Sequence, residues 1–127
     1  MFVAMFWATV NPEWQNDQYA QIGYRMFLRA SEMPGFVALH KLVLPEEHEY
    51  DELAIAYFDT AEHMRAWYND PSHRAVEVLG RREILSKYKI EILEMTRSYT
   101  HESSTFVTDD AAERGADLLA KNAHAIL

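Results

Sequence analysis

The most constraining feature of the sequence is its first segment, FVAMFWATV at residues 2–10. With the two-residue repeat of a β-strand, both faces of this segment are largely apolar. A strand of this kind needs cover on both sides of its sheet. The length of 127 residues suits a single domain with one core.

The rest of the chain alternates between helix and strand signals. Apolar residues at three- and four-residue steps predict a helix that begins with Asn11 as cap and Pro12 in its first turn, and ends before Pro34 and Gly35. Breaks and alternation place the other elements: strands at 36–44, 51–58 and 88–99, and helices at 61–68 and 71–86. The order β-α-β-β-α-β predicts an α+β, ferredoxin-like fold with a four-stranded antiparallel sheet.

Both helical elements then lie on one face of the sheet, and the apolar second face needs a cover of its own. A bare apolar face of that size exceeds what soluble monomers normally expose. We therefore predict a homodimer in which two sheets pack face to face. Residues 1–99 form the predicted domain; residues 100–127 form a polar linker and a C-terminal helix, capped by Asp110 and Glu113.

Composition argues against several classes of function. The net charge of −8 disfavours nucleic acid as a partner. The absence of cysteine excludes disulfides, thiolate metal sites and a cysteine nucleophile, and is compatible with the cytoplasm, where we expect the protein. No apolar run is long enough to span a membrane, and no nucleotide-binding glycine motif is present.

A local sequence pattern suggests a family. Residues 52–74, ELAIAYFDTAEHMRAWYNDPSHR, resemble the antibiotic biosynthesis monooxygenase family, in which a strand ending in an aromatic leads to a short helix with a central tryptophan, then a break of the D/H-P-x-H type and a longer helix. Met33-Pro34-Gly35-Phe36 is similar to the family's second-strand start, and Lys87 to Glu91 to its final strand. The resemblance covers about residues 1–99.

This resemblance implies a dimeric α+β barrel with a ligand cavity between the sheet and helices of each subunit. Family members include cofactor-independent oxygenases of quinol-like aromatics and haem-degrading oxygenases. The haem-degrading members carry an Asn on the first strand and an axial His about ten residues after the tryptophan. Here the first strand has Trp7 instead, and Glu77 lies ten residues after Trp67, so the sequence departs from the haem pattern.

The same resemblance implies candidate site residues. Trp67 matches a tryptophan that lines the substrate cavity of the oxygenases, and a large aromatic suits a planar ligand. Its alternative role is to pack the short helix on the sheet. We add Trp7 and Tyr57 as aromatic substrate-binding candidates, although aromatics at this spacing are more often core residues.

Two histidines are the catalytic candidates. His63 lies one helical turn before Trp67, and His73 starts the next helix. A pocket histidine near neutral pH can take the proton of a phenolic hydroxyl, the activation that a cofactor-free oxygenase needs. Their alternative roles are a solvent-facing residue for His63 and a helix-start residue for His73. The spacing of the two histidines does not predict a metal site.

The predicted function is therefore a monooxygenase-like protein that acts on, or binds, a small aromatic or quinol-like molecule, with O2 as co-substrate and with no cofactor. Two alternatives remain open. One is a non-catalytic dimeric ligand-binding or structural protein of the same fold, and the other is a haem-binding or haem-degrading protein.

Overall fold

The computed structural model describes residues 1–102, 114 and 117–120. In chain order the elements of the first part are β1 (Phe2–Val10), a 3-10 turn (Pro12–Trp14), α1 (Asp17–Glu32), β2 (Phe36–Val43), β3 (Glu52–Phe58), α2 (Ala61–Tyr68), α3 (Pro71–Leu79), a π-helical turn (Gly80–Ile84) and β4 (Leu85–Glu94). They form a four-stranded sheet of order β2-β3-β1-β4, antiparallel throughout. This confirms the ferredoxin-like α+β fold, with an open sheet.

The chain separates into two compact units, Met1–Thr96 and Arg97–Leu127. The first contains the whole sheet and all three helices named above. In the second, residues 114 and 117–120 are helical and exposed. The predicted cap at Asp110 and Glu113 and most of the predicted C-terminal helix lie outside the described residues. No helix in the described ranges is long and apolar enough to cross a membrane.

The helices cover one face of the sheet, which we call the helix face. The core there combines α1, β3 and α2 through five buried residues: Ala30, Ala56, Phe58, Met64 and Trp67. Strand β1 contributes Phe2 and Ala4 to the same core. The opposite face, which we call the open face, carries the alternate residues of each strand. The two-face pattern expected for β1 is therefore present, with helix cover on one side.

Helix α1 begins later than its sequence signals indicate. Asn11 and Pro12 start a short 3-10 turn rather than the helix, and the side chain of Asn11 donates to the carbonyl of Glu83 at 2.7 Å. The helix cap is Asn16, whose side chain accepts a hydrogen bond from the Tyr19 backbone at 3.1 Å. Two asparagines compete for the capping role, and the first is used to tie the β1–α1 connection to the turn before β4.

The last strand also differs from the prediction. Helix α3 ends at Leu79, and the chain then widens into the π-helical turn that brings Ile84 into the interior. Leu85 can therefore pair directly with Val10, so β4 spans Leu85–Glu94 rather than 88–99.

A bulge shifts the register of β2 between Phe36 and Ala38. It turns Phe36 to the helix face, where its ring meets Phe58 edge-on at 5.9 Å. His40 stays on the open face opposite Ile55 and is exposed. Phe36 and His40 therefore lie on opposite faces of the sheet although four residues separate them, because the extra residue reverses the alternation.

Candidate functional site

The break between α2 and α3 brings Trp67 and His73 together. Asn69 ends α2, and Pro71 occupies the first turn of α3, where its missing N–H costs no hydrogen bond. The chain therefore reverses sharply, and the His73 ring lies flat on the Trp67 ring, with centroids 3.9 Å apart and planes within 9°. The Trp67 indole is 5% exposed and belongs to the core.

Two oxygen atoms lie close to one nitrogen of the His73 ring. Its Nδ1 lies 3.0 Å from the Trp67 carbonyl oxygen and 3.2 Å from Oε1 of Glu77, one turn further along α3. The side chain is only 19% exposed. Burial lowers the pKa of His73 below its usual range, while the Trp67 carbonyl and the charge of Glu77 oppose that shift. The stacked ring is therefore predominantly neutral near pH 7.

Asp70 joins this pair of helices to α1. Its carboxylate is 3% exposed and caps α3, accepting a hydrogen bond from the His73 backbone at 3.3 Å. Arg29 of α1 donates to the other oxygen from Nε at 3.1 Å and from Nη2 at 2.6 Å. The hydrogen bond from Arg29 lowers the pKa of Asp70 below its usual range. This clamp fixes where α3 starts and so where His73 can reach.

Tyr68 also lies near the His73 ring. Its ring is nearly parallel to the His73 ring, with centroids 6.4 Å apart. Its hydroxyl is buried, and nothing in the described part of the chain hydrogen-bonds to it. Burial and the nearby charge of Glu77 raise the pKa of Tyr68 to about 12. The tyrosine therefore stays neutral beside the histidine.

The structure places His63 in a different environment. Its Nδ1 lies 2.6 Å from Oδ1 of Asp59, and its side chain is 40% exposed. Both side chains press against Gly35, which precedes β2. The two predicted catalytic histidines thus have separate partners, and it is His73 that reaches the tryptophan.

Trp7 and Tyr57 lie on the open face, on the other side of the sheet from Trp67. Trp7 stacks on His48 with centroids 5.6 Å apart, and its Nε1 donates to Glu91 at 2.7 Å. Tyr57 meets His40 edge-on at 5.9 Å. The three predicted substrate-binding aromatics are therefore not brought together.

An apolar strip on β4 accompanies Trp67 on the helix face. Ile92 pairs with Ala4, and Ile90 with Phe6, so these side chains point to the helix face of the sheet. Ile90 and Ile92 are nevertheless each 50% exposed, and Tyr88 beside them is exposed as well. Within the described residues, the helices leave this part of their own face uncovered.

An open cleft of about 630 Å³ lies elsewhere, between the start of α1 and the β2–β3 connection. Tyr19 donates to the carboxylate of Glu52, which also pairs with Lys41 at 3.3 Å. Burial, together with the Glu52 carboxylate, raises the pKa of Tyr19. None of the five predicted site residues lines this cleft.

Sequence reasoning missed the residues that hold the histidine. Asp70 directly before a proline is a recognisable cap signal. Arg29, in contrast, lies among the polar positions of α1, and its pairing with Asp70 depends on the packing of α1 against α3. Glu77 lies four residues after His73, a spacing that indicates a shared helix face.

Comparisons with known proteins support the fold. No family model and no curated protein matches the sequence. Among solved structures, a candidate antibiotic biosynthesis monooxygenase from Deinococcus radiodurans is 13% identical with a TM-score of 0.65, covering 79% of this chain and 97% of its own.

Two further similar structures are named for an activity. SnoaB from Streptomyces nogalater, a cofactor-independent oxygenase solved as a variant, is 16% identical over 79% of this chain and 95% of its own, with a TM-score of 0.59. The haem degrader MhuD from Mycobacterium tuberculosis is 16% identical over 79% and 100%, with a TM-score of 0.58. At these identities the likeness concerns the backbone. The chain therefore has the ferredoxin-like fold of the antibiotic biosynthesis monooxygenases.

Proposed function

We propose that this protein is a cofactor-independent, monooxygenase-like enzyme that acts on a small aromatic molecule with a phenolic or hydroquinone hydroxyl. The observation that carries the proposal is the stack of His73 on Trp67 at the α2–α3 break. It combines a neutral, partly buried imidazole with an apolar aromatic surround. A base of this type can deprotonate a hydroxyl near neutral pH, and the resulting electron-rich anion can react with O2.

The apolar strip Tyr88, Ile90 and Ile92 supports an aromatic ligand. It lies on the same side of the sheet as Trp67 and is exposed in the single chain. A flat ring of the ligand would cover apolar surface there, while its hydroxyl needs a polar partner. We propose His73 as that partner. Trp67, 5% exposed, supports the histidine ring as the wall behind it.

Oxygen uptake with a panel of hydroquinones tests this proposal without any added cofactor. His73→Gln should lose uptake by at least about a hundredfold, the scale of general-base catalysis. His63→Gln is the matched control variant, because His63 also pairs with a carboxylate, whereas it is His73 that stacks on Trp67. If His63→Gln abolished uptake and His73→Gln did not, the base would be His63. No uptake by the wild type with any member of the panel would contradict the enzyme proposal.

We also propose that residues 1–99 act as a homodimer through the open face. That face carries apolar side chains on all four strands, and Leu42 and Leu93 are nearly half exposed in the single chain. Leu42→Lys should halve the mass seen by light scattering. Val78→Lys, on the helix side and equally exposed, should leave it unchanged. A monomeric wild type at micromolar concentration would refute the face-to-face barrel.

The cysteine-free sequence is compatible with our proposal of a cytoplasmic location.

A second candidate is a non-catalytic dimer of the same fold. The burial of Trp67 in the core favours it, since a buried indole contributes to packing whether or not a ligand binds. Haem is the third candidate, although Glu77 is engaged by His73 at the place where haem degraders of this family carry a ligand. Titration with haemin decides this point, because a bound haem gives a shifted Soret band.

A further inference from the structure

We propose that Glu77 is a positioning residue that, together with the Trp67 carbonyl, holds His73 with its proton on Nδ1 and leaves Nε2 as the basic atom. The inference rests on the proposed function, in which His73 is the base, and adds the residue that orients that base. The proposed basic atom is Nε2, whereas the contacts with Trp67 and Glu77 are made by Nδ1.

The partners of Nδ1 decide which nitrogen carries the proton. A carbonyl oxygen and a carboxylate can only accept hydrogen bonds. Both lie within bonding range of the same nitrogen, at 3.0 Å for Trp67 and 3.2 Å for Glu77. A neutral imidazole with its proton on Nε2 would set a lone pair against both oxygens. The ring must therefore carry its proton on Nδ1.

Nε2 is then the free basic atom. No group in the described part of the chain hydrogen-bonds to it. The stack on Trp67 fixes the plane of the ring, and the contact of Nδ1 with the Trp67 carbonyl fixes its orientation within that plane. A phenolic hydroxyl that donates to Nε2 would give up its proton there. The O–H bond breaks, the N–H bond forms, and the electron pair stays on the phenolate oxygen.

The charge of Glu77 strengthens this base. When Nε2 takes a proton the ring becomes a cation, and a carboxylate at 3.2 Å stabilises it. The other charged or titratable groups around the ring are Asp70 at the start of α3, Arg74 on α3, Tyr68 on α2, and Arg29 on α1, which acts through Asp70. The positive charge of Arg74 disfavours the protonated His73 ring. The charge of Arg29 is balanced by its ion pair with Asp70. Glu77 is thus the acid that contacts the ring itself.

Nitrogen NMR of the histidines in the intact protein tests the inference directly. In the wild type above the His73 pKa, Nδ1 should give the protonated signal and Nε2 the unprotonated one. Glu77→Gln keeps an acceptor but removes the charge, so the tautomer should persist while the pKa of His73 falls. Glu62→Gln on the exposed side of α2 removes one charge of the same sign elsewhere and should leave the His73 pKa unchanged. A proton on Nε2, or an unchanged pKa in Glu77→Gln, would overturn the inference.

Kinetics separates this inference from the proposed function. If hydroquinones support oxygen uptake, Glu77→Gln should lower kcat about threefold to tenfold and move the acid limb of the pH profile to lower pH. Unchanged kcat and an unmoved limb would overturn the positioning role even where the NMR result holds. If the wild type shows no uptake, the proposed function fails, and the tautomer and pKa measurements still decide how His73 is held.

Discussion

Gly35 offers a sharp test of how the chain before β2 is held. Its φ is +79°, a conformation that side-chain-bearing residues rarely adopt. A Cβ built there would lie 2.1 Å from Oδ1 of Asp59 and 2.3 Å from Nδ1 of His63. Gly35→Ala therefore meets two separate costs, backbone strain and a collision with the Asp59–His63 pair.

The two costs can be given magnitudes. The left-handed backbone costs an alanine about 1 kcal/mol more than a glycine. Overpacking of this kind typically costs about 1–3 kcal/mol, and the lower half of that range applies here because both neighbours are partly exposed side chains that can move. We expect a loss of about 2–3 kcal/mol in the free energy of unfolding, which lowers Tm by roughly 10 °C in a domain of this size.

A mutant cycle measured by urea unfolding separates strain from collision. In the Asp59→Ala/His63→Ala background the colliding atoms are gone, so Gly35→Ala should cost only about 1 kcal/mol. The difference between the two backgrounds then gives the collision energy. Equal losses of stability in both backgrounds would show that the side chains of Asp59 and His63 do not pack against Gly35 as described. A Gly35→Ala variant as stable as the wild type would also refute the positive φ of Gly35.

Four further predictions concern the histidine site. Burial favours the neutral form of His73 in the folded state. The free energy of unfolding should therefore fall as the pH drops below about 6.5, where the histidine of the unfolded chain takes up its proton. His73→Gln should flatten this part of the stability–pH curve. A second fall should follow below about pH 4, where the unfolded form of Asp70 is protonated more readily than the folded one, and Asp70→Asn should remove much of it. Tyr68→Phe should cost less than about 1 kcal/mol or stabilise the protein, since the lost hydroxyl is buried without a partner in the described residues. Trp67→Ala should cost about 3–5 kcal/mol by calorimetry, and Trp67→Phe clearly less.

The fold was predictable because its signals are local. The apolar pattern of Phe2–Val10 and the Asp70-Pro71 break each determine an element within a few residues. Thr60 does the same for α2, because its side chain caps the helix by accepting a hydrogen bond from the His63 backbone, and α2 has the predicted bounds. The boundaries that differ depend on longer-range contacts. Asn11 is drawn away from capping by the carbonyl of Glu83, and β4 starts early because a π-helical turn follows α3.

The candidate site was predictable only in part. A central tryptophan and a histidine after a proline break can be read from the sequence, but their stacking depends on how tightly the chain reverses at Asp70. Trp7 and Tyr57 occupy positions in their strands that face away from Trp67. That difference follows from the register of the sheet, which the sequence pattern alone does not assign to one side or the other.

The position of β4 at the edge of the sheet has a consequence for self-association. Among the residues that the structure describes, no further strand pairs with its outer edge along residues 88–93, YKIEIL, a segment that combines strand-forming and apolar residues. Such an edge is a template on which further strands can add. Lys87, Lys89 and Glu91 alternate with the apolar residues and place charges along that edge. Replacing Lys89 and Glu91 by valine would remove these charges, and we expect the doubly substituted protein to add strands from molecule to molecule and to form fibrous aggregates.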